Sequence, residues 1–599
     1  MTRSEKAPIR ESGFFRFLSK IGNGIKWAYT GKFRWYFIIF SLFLLTYVTY
    51  LIFVLPYNNS TYSLDTAFGV NSYDLMKSVI TTVAIISIVA VLCLLFFDLA
   101  KRRLTAGKAI VLIIALGIIM RLTYMVYSPI YFNYGTWKQH DLGYGGTTGH
   151  YSITMYMYRN LDVPDMIRNA DGSVDFAASG QLYQPKLAHF IYALFMRFNS
   201  MFVRFGSDLA QFKRSNGTFY TMDNITKTEY ALFEMTRIIS CFSSIVSLLT
   251  LNQILKETKI SEKSRAFAVI LIAFCPVFYM FSTSVNNDPL SLMFGLLALL
   301  FAIRWMKNPR FLSIILTAVF LGLGMSCKLS IGFLALPIAI MFVYRFVKTI
   351  FAYKKGEIEA KEIKGKKINP ILLTVLMFAV FAVIVFPLGL SYSIYAKIRF
   401  DQPFNYVWLI SKYNWNYVDD SVNPLWRYLF YPAPDFFKTI VVVNRAWTNG
   451  AVDPNIQPNL WSYVFKSSLF GEYSWNRYIS PALYIFAFAS VWIIFGFIIF
   501  LGIRAIKRKK ADLLLFLLIG GLGVLYFFSA ILFYHQYPFT CSMDFRYFVL
   551  LILVAAASVG RTFDCLDEYN GTLPKIIKGA TCFLLVGYAV SSGLLYLIA

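Results

Sequence analysis

Long runs of apolar residues constrain the fold of this chain more than any other feature of its sequence. Many reach the length of about 18 residues with few charges that crosses roughly 30 Å of hydrocarbon as an α-helix. Charged residues make up 15% of the chain, whereas soluble proteins carry roughly 25%. The runs lack the amphipathic stripes of a soluble core. The sequence therefore predicts an all-α polytopic membrane protein.

We place about 13 transmembrane helices along the chain. They cover residues 34–56, 74–98, 109–130, 229–253, 264–282, 288–306, 311–327, 330–349, 369–392, 480–503, 511–534, 546–561 and 576–598.

Lys and Arg residues set the predicted orientation. Most of the 57 lie in alternate short loops and at the adjoining span ends, as in Lys101-Arg102-Arg103, whereas loop 57–73 contains none. Basic loops stay on the cytoplasmic side, which predicts a cytoplasmic N-terminus and an outer C-terminus. The same bias explains the net charge of +26 without a nucleic-acid partner.

The predicted spans and loops divide the chain into five parts. These are a basic cytoplasmic N-terminus (1–33), a two-helix N-terminal extension (34–98), a membrane core (99–392) that includes outer loop 131–228, an extracytoplasmic segment (393–479) and the C-terminal transmembrane helices (480–599). The two large outer segments are too long for structureless connections. Polar and charged residues gather at this outer side rather than at mid-membrane, which favours an enzyme over a transporter.

The first candidate cluster is His140-Asp141, which follows the third span and precedes several glycines. A carboxylate beside the membrane can act as a general base for an acceptor hydroxyl or amine. Aspartate near glycines is also common in turns, so the sequence leaves both interpretations open.

The second and third clusters lie at the same predicted rim. Asp288 precedes Pro289 in a tight outer turn, where it could cap the next helix or belong to the site. Lys328 separates two apolar spans. An unpaired charge there is costly and often functional, although its side chain could instead extend to the headgroups. We favour a phosphate contact for Lys328.

The fourth cluster contains Asp544, Arg546 and Tyr547 at the start of a late span. The planar guanidinium of Arg546 suits either the neighbouring carboxylate or a phosphate. Arg121 and Arg237 fall in the middle-to-outer parts of their spans and could join these cations.

The histidines and cysteines do not indicate a metal site or a cofactor. The histidines His140, His150, His189 and His535 all fall on the predicted outer side, but without metal-ligand spacing. A zinc site needs three or four converging ligands. The seven cysteines are scattered and form no CxxC motif, which is typical of buried apolar thiols.

These motifs, in this order, resemble the GT-C superfamily of glycosyltransferases, and most closely the protein O-mannosyltransferase and aminoarabinose transferase group (glycosyltransferase family 39). Asp141 occupies the place of the acidic motif in the first outer loop. Gln184-Pro185-Lys186 is similar to the Pro-rich juxtamembrane motif. Asp288 resembles the second acidic residue of the family. Residues 324–330 resemble the family's Gly-rich span end with its Lys, and Arg546-Tyr547 resembles its late Arg-Tyr pair.

The sequence departs from the family pattern at two places. Leu142 stands where the family usually has a second acid, and Lys186 replaces the second Pro of the juxtamembrane motif. Phosphate binding by that helix could therefore have moved to Lys186.

The resemblance implies an inverting membrane glycosyltransferase with a GT-C-like fold and no cofactor. It would move a sugar from a polyprenyl-phosphate carrier to a protein, lipid or glycan acceptor outside the cytoplasm. The enzyme would lie in the plasma membrane, in contact with membrane lipids. Asp141 would be the catalytic base, and Asp288 a second catalytic carboxylate that supports the acceptor or the sugar. The substrate-binding residues would be His140, Lys186, Arg237, Lys328, Arg546 and Tyr547. The alternatives are a transporter or flippase of a lipid-linked glycan and a non-catalytic scaffold.

Overall fold

The structure, a computed structural model, describes most of the chain. The described residues are 34–53, 70–128, 149–175, 179–203, 227–359, 361–363, 366–404, 418, 424–428, 459–471, 479–508 and 513–598.

Contacts within the chain separate two units, residues 1–73 and 74–599. The described helix of the first unit is α1 (Arg34–Phe53). The helices that follow are α2 (Val70–Ala100), α3 (Ala106–Tyr127), α4 (His150–Asn160), α5 (Leu187–Val203), α6 (Lys227–Met235), α7 (Arg237–Glu257), α8 (Glu262–Ala273), α9 (Pro276–Thr283), α10 (Asp288–Lys307), α11 (Phe311–Cys327), α12 (Ala335–Lys354), α13 (Pro370–Phe400), α14 (Pro424–Tyr428), α15 (Leu460–Phe470), α16 (Ser480–Arg508), α17 (Leu513–Leu515), α18 (Leu522–Gln536), α19 (Leu551–Leu566) and α20 (Thr572–Ile598).

The described strands are β1 (Lys361–Ile363) and β2 (Lys366–Ile368), which pair antiparallel between α12 and α13. A π-helical turn, Phe516–Gly521, joins α17 to α18. The architecture confirms the prediction of an all-α polytopic membrane protein.

Nine described helices are long and apolar enough to cross a membrane, and ten if the bent pair α8–α9 forms one span. Two shorter apolar helices, Ile38–Ile52 and Phe311–Cys327, coincide with further predicted spans. The remaining prediction, 546–561, is an α-helix only from Leu551 onwards. All thirteen predicted positions therefore contain helix, but not all of these helices are long enough to cross a membrane.

Helix starts follow local sequence signals. The side chains of Thr105, Ser261 and Asn459 accept hydrogen bonds from the backbone N–H three residues later, which satisfies donors that a helix N-terminus leaves free. Asn369 does the same two residues later, before Pro370. Proline is tolerated in the first turn because its missing N–H has no helical partner there.

Helices α7 and α10 form the centre of the second unit, and most of each is buried. Helix α10 packs against α7 and α11, and α11 packs against α13. Helices α2, α13 and α16 bury little of their apolar surface inside the protein. They therefore lie at the periphery, where their side chains can contact lipid.

The bend between α8 and α9, 49° at residues 274–275, is stabilised by Arg121. Its Nη1 donates to Ala273 O at 2.9 Å and to Gly117 O at 2.7 Å, and its Nε donates to Ser244 Oγ at 3.1 Å. A broken helix in a bilayer leaves carbonyls that no water can satisfy. The fully buried guanidinium donates hydrogen bonds to these carbonyls. Arg121 therefore stabilises the fold and does not join the rim cations, as the sequence analysis suggested it could.

Candidate functional site

Asp288 and Lys328 form an ion pair where α10 begins and α11 ends. The Lys328 ammonium donates to Asp288 Oδ1, and the side chains are only 13% and 7% exposed, in that order. The two helices are antiparallel neighbours, so the start of one meets the end of the other. Two residues that the sequence predicts at the same rim, 40 positions apart, are in direct contact.

The turn before α10 fixes the position of Asp288. Asn286 Oδ1 accepts a hydrogen bond from the Asp288 backbone N–H at 2.9 Å, and Pro289 follows in the first helical turn. Asp288 is the first residue of the helix, where a negative charge is favourable. The N-cap position belongs to Asn287, and no side chain caps the helix. The predicted cap role of Asp288 is therefore wrong, and its carboxylate instead contacts Lys328.

Tyr547 brings the late Arg-Tyr pair to the same place. Lys328 Nζ lies 4.7 Å from the centroid of the Tyr547 ring, and Arg546 Cζ lies 5.2 Å from it. An aromatic face attracts cations, so the ring holds two positive groups close together. The three predicted residues Lys328, Arg546 and Tyr547 therefore belong to one cluster, which we call the rim cluster together with Asp288.

Asp544 and Ser467 hold the segment that carries Arg546. Asp544 Oδ1 accepts from the Arg546 backbone N–H at 2.9 Å, and its other oxygen lies 3.6 Å from Arg546 Nε. The Phe545 N–H donates to Ser467 Oγ of α15 at 2.9 Å. The predicted Asp544–Arg546 pair is thus present, and it anchors the short turn rather than competing with the cluster.

Helix α5 is attached to the turn before α10 by two hydrogen bonds. Asn287 Nδ2 donates to Oε1 of Gln184, which lies just before α5. Tyr192 OH, within α5, donates to Asn286 O at 3.1 Å. These contacts bring the predicted juxtamembrane motif next to the rim cluster.

Lys186 of this motif is directed into the protein. Its ammonium donates to Leu182 O and, at 2.6 Å, to Gln184 O, and it lies 4.8 Å from the Tyr392 ring centroid. Burial lowers the pKa of Lys186 well below its ordinary value. Its predicted contact with a phosphate would require these backbone bonds to be exchanged.

Arg237 is also occupied within the protein. It is fully buried, forms an ion pair with Glu234, and donates to Met125 O at 2.5 Å and to Ser128 O. A phosphate contact would have to replace these partners, so the geometry favours a role for Arg237 in joining α7 to the end of α3.

His150 and His189 are neighbours that the sequence analysis did not bring together. His150 Nδ1 and His189 Nε2 lie 2.9 Å apart. Burial, then the positive charges of Lys328, Arg546 and Lys186, lower the pKa of His150 to about 3. The two residues are 39 positions apart on separate elements, and no sequence signal pairs them.

The predicted base lies outside the described residues, and so does His140. Asp141 belongs to segment 129–148, which the structure does not describe. Its described continuation begins at Gly149, the residue before α4. Among the described residues, no group of three or more His, Cys, Asp or Glu side chains is placed to hold a metal ion.

An apolar cavity of about 510 Å³ lies beside the segment that carries Arg546. Phe545 lines it together with Trp461, Trp492, Phe495 and Phe527. Trp461 donates to Tyr428 O at 2.8 Å and stacks on Phe527 with ring centroids 4.7 Å apart. Trp492 and Phe495 are half exposed on α16, so the cavity reaches the lipid-facing surface.

The comparison with protein families accords with this geometry. Residues 216–356 match the model of the dolichyl-phosphate-mannose-protein mannosyltransferase family. The chain resembles these mannosyltransferases. No protein in a search of curated sequences matches it. The match confirms the resemblance drawn from the motifs and indicates a mannosyltransferase-like membrane glycosyltransferase.

The segment matched to the mannosyltransferase family runs from before α6 to the end of α12. It contains both members of the Asp288–Lys328 pair, whereas Lys186, Arg546 and Tyr547 lie outside it. The cluster therefore joins residues of the matched segment to residues that only the tertiary structure brings beside it.

Proposed function

We propose that this protein is an inverting glycosyltransferase that moves a sugar from a polyprenyl-phosphate carrier to an acceptor outside the cytoplasm, in the plasma membrane. The observation that carries the proposal is the rim cluster, in which two cations, one carboxylate and a tyrosine ring meet at one end of the helices. Two of its four residues, Asp288 and Lys328, lie in the family-matched segment.

The rim cluster would hold the phosphate of the sugar donor. The Lys328 ammonium has three N–H groups and donates one of them to Asp288. The other two N–H groups can donate to phosphate oxygens. Arg546 lies on the same tyrosine ring and adds a second cation. Preorganised positive groups in a site that excludes water stabilise the charge that develops on a leaving group.

The reaction would be a single displacement at the anomeric carbon. A bond forms between the acceptor oxygen or nitrogen and this carbon while the bond from the carbon to the phosphate oxygen breaks. The electron pair of the broken bond stays on the phosphate, which the cations stabilise, so no separate acid is needed. The acceptor proton passes to a carboxylate, which we assign to Asp141, and the Asp288 carboxylate supports the acceptor or the sugar.

The apolar cavity supports a lipid carrier as donor. Its aromatic lining ends at Phe545, one residue from Arg546, and opens towards the lipid-facing side of α16. An isoprenoid chain could therefore lie in the cavity while its phosphate reaches the rim cluster.

Radiolabelled polyprenyl-phosphate sugars offered to the purified protein with crude membrane acceptors test the proposal. Loss of a general base lowers rates about 100- to 10,000-fold, so we expect this loss for Asp141→Asn. Loss of an electrostatic donor costs about 100- to 1000-fold, which we expect for Lys328→Ala.

Lys397→Ala is the matched control, because Lys397 forms an exposed pair with Asp401 at the same end of the helices. It should keep wild-type transfer. Undiminished transfer by Asp141→Asn would remove the proposed mechanism, and no transfer by wild type from any polyprenyl-phosphate sugar would remove the proposed donor class.

A further inference from the structure

His150 and His189 form a buried dyad between α4 and α5. A hydrogen bond of 2.9 Å connects His150 Nδ1 with His189 Nε2, and the two ring planes differ by 11°. His189 is fully buried and His150 is 8% exposed. Since Nδ1 of His150 is taken by this bond, Nε2 is the ring nitrogen left to bind a ligand.

The surroundings of His189 decide which histidine donates. Its Nδ1 is buried and has no hydrogen-bond partner among the described residues. A buried N–H without an acceptor is rarer in proteins than an acceptor without a full set of donors. The proton of His189 is therefore on Nε2, which donates to His150 Nδ1. It follows that the proton of neutral His150 is on Nε2.

The dyad lies beside the rim cluster. Its helix α5 is attached to the turn before Asp288 on both sides of His189, through Gln184 and Tyr192. Helix α5 also packs against α11, the helix that ends at Lys328. The charges of Lys328, Arg546 and Lys186 act on the His150 ring and help to keep it neutral.

We propose that His150 Nε2–H is a neutral hydrogen-bond donor to the phosphate of the lipid-linked substrate, and that His189 is the positioning residue that sets its tautomer. This inference rests on the proposed function and adds to it a residue that lies outside the matched segment. A neutral donor strengthens phosphate binding without adding a third cation beside Lys328 and Arg546, whose mutual repulsion already has to be offset by Asp288 and Asp544.

Binding of farnesyl phosphate to the detergent-solubilised protein, measured by isothermal titration calorimetry with farnesol as the uncharged control, tests the assignment. A hydrogen bond to a charged group is worth about 1.5–3 kcal/mol, which corresponds to about a 10- to 150-fold change in affinity. We expect His150→Phe to lose this factor for farnesyl phosphate and to bind farnesol as wild type does.

Two amide variants separate hydrogen bonding from packing. The side-chain amide of Gln can occupy the position of Nε2, whereas that of Asn reaches only the position of Nδ1. His150→Gln should therefore retain most of the affinity and His150→Asn should lose it, although both are polar and small enough to fold. His189→Gln, which keeps a donor to His150 Nδ1, should retain affinity, and His189→Phe should weaken it.

The outcomes distinguish this inference from the proposed function. Equal affinity of wild type, His150→Asn and His150→Phe for farnesyl phosphate would overturn the role of His150 and leave the rim cluster in place. Equal loss in His150→Gln and His150→Asn would also overturn it, since the dyad would then be a packing element. If wild type does not prefer farnesyl phosphate to farnesol, the phosphate site itself fails and the inference fails with it.

Discussion

The contact between Asp288 and Lys328 belongs to the fold and, in the proposed mechanism, also to the site. Both are largely buried, so each charge depends on the other. Burying two charges costs several kcal/mol of desolvation free energy per ion. Their attraction offsets this cost only when the geometry is good. A protein can therefore lose little stability when both charges are removed, yet lose much when only one is.

We expect Lys328→Met to lower the free energy of unfolding by about 3–5 kcal/mol, because it leaves the Asp288 carboxylate buried without its partner. The double variant Asp288→Asn/Lys328→Met should recover most of this stability and remain inactive in sugar transfer. Thermal unfolding in detergent and the transfer assay measure the two quantities. A double variant that is both stable and active would show that sugar transfer does not need the charges of this pair.

The histidine dyad predicts a stability change with pH. In an unfolded chain histidine has a pKa near 6.5, whereas the folded protein lowers the pKa of His150 to about 3. Between these values the unfolded state binds a proton that the folded state does not, so the free energy of unfolding falls as the pH falls below about 6.5. The pKa of His189 is lowered as well, and it acts in the same direction.

For His150 alone, the loss between pH 7 and pH 5 should be at most about 2 kcal/mol, since one proton contributes about 1.4 kcal/mol per pH unit. His150→Gln removes this titrating group and leaves His189 as the remaining histidine of the dyad. We therefore expect its unfolding temperature to fall less than that of wild type over this range. An identical pH dependence of the two proteins would contradict a neutral buried His150.

At the scale of elements, two glycines let α10 and α11 approach closely enough to place Lys328 on Asp288. A Cβ at Gly295 of α10 would lie 2.5 Å from Ile331 Cγ1, and one at Gly324 of α11 would lie 3.0 Å from Ile331 Cγ2. Ile331 lies in the 3₁₀ turn, Leu329–Leu334, that follows Lys328 directly. Its side chain fills the notch between the glycines, as small residues allow in membrane helix packing.

Gly295→Ala should displace Ile331 and with it the turn that begins at Lys328. We expect a lower unfolding temperature and weaker transfer activity. Ile331→Ala in the same chain should restore part of both, because it removes the atoms that the new methyl group meets. A double-mutant cycle measures this coupling.

Gly496→Ala on α16 is the control for this cycle, since the added Cβ meets no described atom within 4 Å apart from its chain neighbours and the nearby backbone of its own helix. It should leave both stability and transfer unchanged. Additive effects of Gly295→Ala and Ile331→Ala would mean that the notch does not position the turn.

At the scale of the whole molecule, Lys328 of the rim cluster and the basic residues Lys354 and Lys355 lie at opposite ends of α12. Helix α12 follows Lys328 and its turn, and its 20 residues span about 30 Å. Helix α13 returns to the rim, where Tyr392 OH donates to Leu182 O at 2.6 Å. Lys355 and Lys397 therefore lie at opposite ends of these helices, which the proposed topology puts on opposite sides of the membrane.

A membrane-impermeant maleimide applied to intact cells tests the proposed orientation. In a cysteine-free background, which is needed because Cys93 is exposed, Lys397→Cys should be labelled and Lys355→Cys should react only after permeabilisation. The reverse pattern would place the rim cluster in the cytoplasm and contradict an extracytoplasmic acceptor.

The sequence predicted the membrane spans well and the site in part, for a definable reason. Span positions depend on local hydrophobicity, and all thirteen positions contain helix. Lys328, Asp288 and Arg546 are visible in the sequence because a charge beside an apolar run is costly. Arg121 and Arg237 carry the same local signal, yet the structure surrounds them with backbone carbonyls. Local sequence does not distinguish a buried cation that stabilises a broken helix from one that faces a substrate.

The sequence by itself determined the membrane class, the approximate spans, the bias that sets orientation and the family resemblance, because each depends on composition or order along a short stretch. Only the tertiary structure decided which side chains meet: Lys328 with Asp288 and Tyr547, and His150 with His189. These contacts join residues 39 to 219 positions apart. Their geometry is set by how closely α10 and α11 pack and by where α5 is attached, and neither is encoded within a single segment.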